Sequence, residues 1–269
     1  MTTTNAPALE GQVLFFKRPE PLHPNTHAKL GIKTTPYPFA FMKDANVVPV
    51  MASEFAQAAA HYPLIFTNDG KGMLAVMGVR QGENLFMDAN GTPDPDVYLP
   101  AFARRYPFVF AANPQGNDFL VCVDRDAPMV GENPDVAFFD EKGEATEFTK
   151  NAIEFLGDFE RQRRTTEAFC EIVREAGLLE TKQVTWQPQN PDGTLAEPQL
   201  VAEYQGVSED KLKALPDAKL IELSKNGAIG AIYAHMVSLM QWNKLVNMTI
   251  RRAMVDQQPE VDLNFSRAN

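Results

Sequence analysis

The feature that most constrains this chain is a passage it carries twice. DANVVPVMASEFAQAAAHYPLIF occupies residues 44–66 and DANGTPDPDVYLPAFARRYPFVF residues 88–110, at a constant offset of 44 without a gap. A period of that size points to one supersecondary unit used again. The Asp-Ala-Asn opening favours a turn, because Asp and Asn side chains bond their own backbone and Asn tolerates left-handed dihedrals. A short helix is expected next, over 53–61 in the first copy and 98–105 in the second. Tyr62-Pro63 and Tyr106-Pro107 end these helices, since the residue before proline is driven out of the helical region. Leu64-Ile-Phe66 and Phe108-Val-Phe110 then read as strands. Asn68-Asp-Gly70 and Asn113-Pro-Gln-Gly116 read as hairpin turns into the apolar runs 73–77 and 119–123.

Each unit is therefore turn, helix, strand, hairpin, strand, over 44–77 and 88–123. Phe138-Phe-Asp-Glu-Lys-Gly143 is similar to Leu85-Phe-Met-Asp-Ala-Asn-Gly91 and predicts a third, partial copy. Two copies and a fragment are too few for an open solenoid, which needs about three stacked repeats. The expected fold is α+β: one mixed, mainly antiparallel sheet built from the duplicated unit, packed by a long helix and a buried C-terminal helix. The long helix is predicted over 146–176 and closed by Gly177. Phe148, Ala152, Phe155, Phe159, Thr166, Phe169 and Val173 share one of its faces and read as core. A hairpin follows over 181–207, with Ser208 and Pro216 opening short helices. The last helix, 227–252, is apolar on most sides and is expected to be buried. Near the N-terminus, 13–16 and 36–42 read as strands and the proline-rich 19–24 as irregular chain. One domain over 13–252 is expected, between a disordered tail at 1–12 and a flexible one at 253–269.

The chain carries 35 acidic against 25 basic residues, and a net charge of −10 argues against a nucleic-acid partner. Arg161 to Arg164 and Arg251-Arg252 fall on predicted helices and read as solvated faces. The C-terminal apolar run falls short of the roughly 18 residues a membrane span needs, and His235, Gln241, Asn243 and Lys244 interrupt it. The first 12 residues have neither a basic start nor an apolar segment, so no signal peptide is expected. Cys122 and Cys170 lie in apolar patterns and read as reduced side chains of a cytoplasmic protein.

Several residues are candidates for chemistry. His235 lies on the apolar stripe with Leu239, Trp242 and Val246. The plainer reading is a satisfied core histidine; if functional, burial would favour a neutral, base-like ring. Glu54 and Asp124 are the carboxylate candidates for acid-base work. Arg104 and Arg105 suit a carboxylate ligand, and Tyr62, Tyr106 and Trp242 complete the binding candidates. Metal binding is not expected. His27 and Asp126 are its nearest approach, but Pro24 argues against a helix carrying His23 and His27 together. Asp124 and Asp126 read more simply as a charged loop start than as ligands of a hard cation. The Asp88 turn lacks the glutamate of a calcium loop. No phosphate loop or nucleophile elbow is present, and no cofactor is implied.

Val48-Pro-Val-Met-Ala-Ser-Glu-Phe55, Tyr62-Pro-Leu-Ile-Phe66, Gly82-Glu-Asn-Leu-Phe86, Arg104-Arg-Tyr-Pro-Phe108 and Ile232-Tyr-Ala-His-Met-Val-Ser-Leu239 resemble the SapC family of bacterial proteins. Leu215-Pro-Asp217 and Trp242 fit as well, and the resemblance extends over about 13–250. It implies an association with surface-layer proteins, with members encoded near outer-membrane receptors, flavin-dependent halogenases and cupin-like oxygenases. It implies no assigned activity and no agreed catalytic residues. The peptide-transporter permease that shares the name is a different, membrane-spanning protein. Two functions follow as expectations. One is a non-enzymatic accessory protein that binds a protein or peptide client. The other is an enzyme modifying a small molecule or peptide between the repeats, working with a halogenase or oxygenase. A homodimer is a further expectation, should the phenylalanine stripe dock a partner helix.

Overall fold

The computed structural model describes residues 14–112, 119–188 and 192–256. From the N-terminus come β1 (Pro19–Pro21), α1 (Pro24–His27), β2 (Leu30–Ile32) and β3 (Val47–Pro49). Helix α2 (Phe55–Ala58) then leads into the hairpin of β4 (Leu64–Phe66) and β5 (Met73–Val76). The same order recurs as α3 (Ala101–Arg104), β6 (Phe108–Ala112) and β7 (Phe119–Asp124). Strands β8 (Val130–Glu132) and β9 (Val136–Ala137) precede the long helix α4 (Glu147–Glu175). The hairpin of β10 (Leu179–Trp186) and β11 (Gln199–Val207) follows. Helices α5 (Glu209–Lys213), α6 (Asp217–Lys225), α7 (Ala228–Ser238) and α8 (Gln241–Asp256) end the described chain.

The fold is α+β and its pairings are antiparallel, but the two similar hairpins do not share a sheet. β4 and β5 belong to the five-stranded order β10-β11-β4-β5-β3, β6 and β7 to β1-β7-β6, and β2 lies between β8 and β9. One mixed sheet was expected; three antiparallel sheets are found. Each hairpin recruits different neighbours, β3 and β11 for the first and β1 for the second. The Tyr106-Pro107 peptide is cis, unlike Tyr62-Pro63.

Helix α4 ties the sheets together. Thr146 caps its start by accepting the Thr149 N–H, and Gly177, at a φ of 69°, stops it. Its 29 residues extend about 43 Å. Phe169, Cys170 and Val173 enter the core around β4, β5, α7 and α8, while Leu156 enters a second core with Phe108, Val123 and Phe138. Most of the expected stripe thus packs inside, while Phe155 belongs to neither core. The fragment at 138–143 forms the same local turn as its counterpart. Asp88 accepts the Asn90 and Thr92 N–H groups, Asp140 those of Lys142 and Glu144, and Gly91 and Gly143 adopt positive φ.

Four expectations near the ends are corrected. Phe15 has a φ of 78°, which breaks the apolar run 13–16, and the edge strand forms at Pro19–Pro21, where prolines need no ladder donor. Residues 36–42 are not a strand; they turn into a 3-10 segment, Ala40–Met42. Pro24 does not prevent a helix at the two histidines but starts it, with His23 as the cap, because the first helical N–H needs no partner. The C-terminal helix is two helices, broken at Leu239-Met240, and it is not buried on most sides: Tyr233, Val237 and Met240 are exposed. Its second part runs past Arg252 to Asp256. The expected tail 1–12, residues 257–269 of the tail expected at 253–269, and the turn at Asn113-Pro-Gln-Gly116 lie outside the described residues.

Close approach is required at Gly31 on central strand β2. A Cβ there would sit 2.1 Å from the Val136 carbonyl oxygen. Gly31→Ala should therefore cost about 1–3 kcal/mol in urea denaturation, by forcing β9 off β2.

Candidate functional site

The three residues that most invited a catalytic reading are all committed to hydrogen bonds within the chain. Strands β11 and β4 share one ladder position, Gln205 opposite Phe66. Where they diverge, His235 on α7 spans the gap. Its Nδ1–H donates to the Leu64 carbonyl at 2.7 Å and its Nε2 accepts the Val207 N–H at 3.0 Å. The tautomer follows from these partners, because Nε2 must be the acceptor. Ser238, one turn on, accepts the Leu64 N–H and donates to the His235 carbonyl. Burial lowers the pKa of His235 to about 4.

Asp124, at the end of β7, is fully buried. It accepts the N–H groups of Lys17, Arg18 and Asp126 and the Tyr106 hydroxyl, at 2.8 to 3.2 Å. Burial and this carboxylate push the Tyr106 pKa up. Glu54 repeats the device in the other copy. It accepts the Met51 N–H at 2.9 Å, the Tyr98 hydroxyl at 2.6 Å and the Ala101 N–H at 2.7 Å, thereby capping α3. Tyr98, unnoticed in the sequence, stands 44 residues after Glu54, at the matching position of the second copy. Burial, then its bond to Glu54, raises its pKa to about 12. Arg104 donates to the Tyr98 hydroxyl at 3.1 Å and lies 3.8 Å from Glu54. These groups border a cavity of about 240 Å³.

The binding candidates divide. Arg104, Arg105 and Tyr106 converge on a second cavity of about 540 Å³, between the end of α3, the loop after β2 and the first half of α4. Phe39, Phe108, Phe148 and Phe155 wall it, and Lys33 adds a third cation that the sequence did not single out. No carboxylate lines this cavity. The Arg105 guanidinium stacks on Phe102 at 4.0 Å and Phe159 at 4.7 Å, and its Nε is sealed from solvent without a hydrogen-bond partner. Burial lowers its pKa to about 10. The carboxylate that most opposes this shift, Glu160, is held by Arg163 and Arg164. Tyr62 and Trp242 lie elsewhere, in the larger core. The Tyr62 hydroxyl donates to the Tyr98 carbonyl at 2.7 Å, and Trp242 packs on Tyr204.

The metal candidates each have protein partners. His27 Nδ1 accepts the His23 N–H at 3.1 Å and its Nε2 faces Glu20 at 3.5 Å, while Asp126 pairs with Arg18 at 2.9 Å. Among the described residues no three His, Cys, Asp or Glu side chains are grouped to hold a metal ion. Nor is any helix there long and apolar enough to cross a membrane.

A family model described as SapC matches residues 22–245. The chain belongs to the SapC family. Comparison with curated proteins and with solved structures finds no match. The SapC match begins just after β1 and ends inside α8, so it takes in every residue lining the larger of these two cavities, together with Glu54, Asp124 and His235.

Two predictions follow from this geometry. Unfolded chains protonate histidine near pH 6.5, whereas folded His235 resists protonation until about pH 4. Its contribution to stability is therefore complete above about pH 6.5 and is lost as pH falls towards 4, by on the order of 3 kcal/mol. His235→Gln should remove that part of the slope in urea titrations between pH 7.5 and 4.5. Asp124→Ala would strand three half-buried N–H groups and a buried phenol, at a cost of about 2–4 kcal/mol by the same measurement.

Proposed function

We propose that this SapC protein works by binding rather than by catalysis, and that its ligand is an apolar, anionic part of a protein or peptide client. Arg105 is the observation that carries this reading. Arg105 is half-buried with its Nε sealed from solvent and unpartnered, a costly arrangement that suits a wall an anion will meet. The surrounding cavity has the size and apolar lining of an ordinary ligand site. Three cations and no carboxylate give it one sign of charge. The enzymatic alternative, with a halogenase or oxygenase as co-worker, has less support. His235 and Asp124 are fully buried, and the oxygens of Glu54 already accept three donors. The surface-layer and receptor link comes from the family resemblance. Cys122 and Cys170, buried and unbonded, support a reducing, cytoplasmic setting.

An apolar anion tests the reading directly. Anilinonaphthalene sulfonate should bind the native full-length chain with enhanced fluorescence. Arg105→Met should weaken that binding at least tenfold. The same variant should unfold at an equal or higher urea midpoint, by up to about 2 kcal/mol, because it removes a half-buried charge whose opposing carboxylate, Glu160, is already paired. Unchanged dye binding in a folded Arg105→Met protein would refute the site.

A further inference from the structure

We infer that the cavity beside Arg105 receives the C-terminal residue of a peptide, with its α-carboxylate on Arg105 and its apolar side chain among Phe39, Phe148 and Phe155. This rests on the binding reading above and adds the chemical class of the ligand. Charge decides first. A free amino acid would bring an ammonium group into a wall that holds Lys33, Arg104 and Arg105 and no carboxylate. The neighbouring acid Asp135 is taken up by the Thr34 N–H at 2.7 Å, and Glu160 by two arginines. The ligand must therefore carry a negative charge without an adjacent positive one. A peptide C-terminus meets this condition, because its nitrogen is locked in an amide.

The rest of the wall fits the same ligand. A phosphate dianion would need several donors and a wet site, whereas most of this wall is aromatic or aliphatic. A fatty acid would satisfy the apolar wall but leave the neutral groups of Thr35 and Asn151 without a purpose. Those groups suit the amide that precedes a terminal residue. The volume, about 540 Å³, suits a terminal residue with its amide rather than a long bound strand. Strand addition is also blocked at this wall. β2 is paired on both sides, by β8 and β9, so it offers no free edge to a peptide.

Displacement of anilinonaphthalene sulfonate from the full-length chain tests this with acetyl-Ala-Ala-Phe as the free acid, the same peptide as its amide, free phenylalanine, dodecanoate and inorganic phosphate. The peptide acid should displace the dye at a concentration at least tenfold below the amide. Free phenylalanine and phosphate should not displace it. Arg105→Met should abolish the difference between acid and amide. Ala152→Phe, which fills the cavity from α4 without changing charge, should weaken the peptide acid and the dye together, and it carries the test if Arg105→Met does not fold. Equal binding of acid and amide would overturn the inference, as would free phenylalanine matching the acid, or dodecanoate displacing the dye where the peptide acid does not. In those cases Arg105-dependent dye binding would still stand for the broader reading. Loss of dye binding to the native chain would remove both.

Discussion

Short strands leave main-chain groups without partners, and this structure answers with buried polar side chains. Several strands have three residues or fewer, and β11 meets β4 at one register position. A buried N–H or C=O without a partner costs about as much as a lost hydrogen bond, so each must be satisfied somewhere. Of the nine buried polar side chains among the described residues, eight, all but Ser208, bond main-chain groups. Asp124 holds the incoming N-terminal chain to β7, Glu54 fixes the start of α3, and His235 finishes the seam between β4 and β11. Asn84 closes its loop by donating to the Met42 carbonyl and accepting the Phe86 N–H. Side chains that look catalytic in the sequence therefore act here as parts of the ladder.

Against that pattern Arg105 stands out. It is half-buried and charged, its Nε is sealed without a partner, and the carboxylate that most opposes its desolvation, Glu160, is held by other arginines. Its neighbours are fixed by the devices just described. Glu54 caps the helix that ends at Arg104, and Asp124 holds the hydroxyl of Tyr106. The cation is thus carried on a segment anchored at both ends. Such a segment presents a charge without much loss of freedom on binding, which favours affinity. The anchoring carboxylates are largely occupied by this task, Glu54 accepting three donors and Asp124 four.

Much of the local structure was legible in the sequence. Thr146 and Gly177 mark the ends of α4, Tyr-Pro ends both short helices, and Asp88 and Asp140 announce their turns by spacing alone. These signals are local, so they survive whatever packs around them. What was not legible depends on partners distant in sequence. The separation into three sheets follows from which strands pair with each hairpin, and no residue within the hairpins encodes that choice. The break at Leu239-Met240 has no proline or glycine to mark it, and the apolar spacing continues through it. Its nearest signal is Ser238, whose hydroxyl bonds the His235 carbonyl. At the candidate site, Arg104, Arg105 and Tyr106 were legible as a group because they are adjacent. Lys33 and Phe39 were not, because only the fold brings the loop after β2 against α3.

The two copies of the repeated passage finally show where their charge differs. Where the second has Arg104-Arg105-Tyr106, the first has Ala60-His61-Tyr62. Both tyrosines are buried and both donate their hydroxyls, Tyr62 to the Tyr98 carbonyl and Tyr106 to Asp124. The tyrosine thus serves the same anchoring purpose in each copy. What differs is the pair before it. Ala60 is exposed and His61 half-buried, and Arg104 and Arg105 at the matching positions are exposed and half-buried in turn. The copies therefore differ here in charge and not in burial, and the second sets two cations on the cavity along α4.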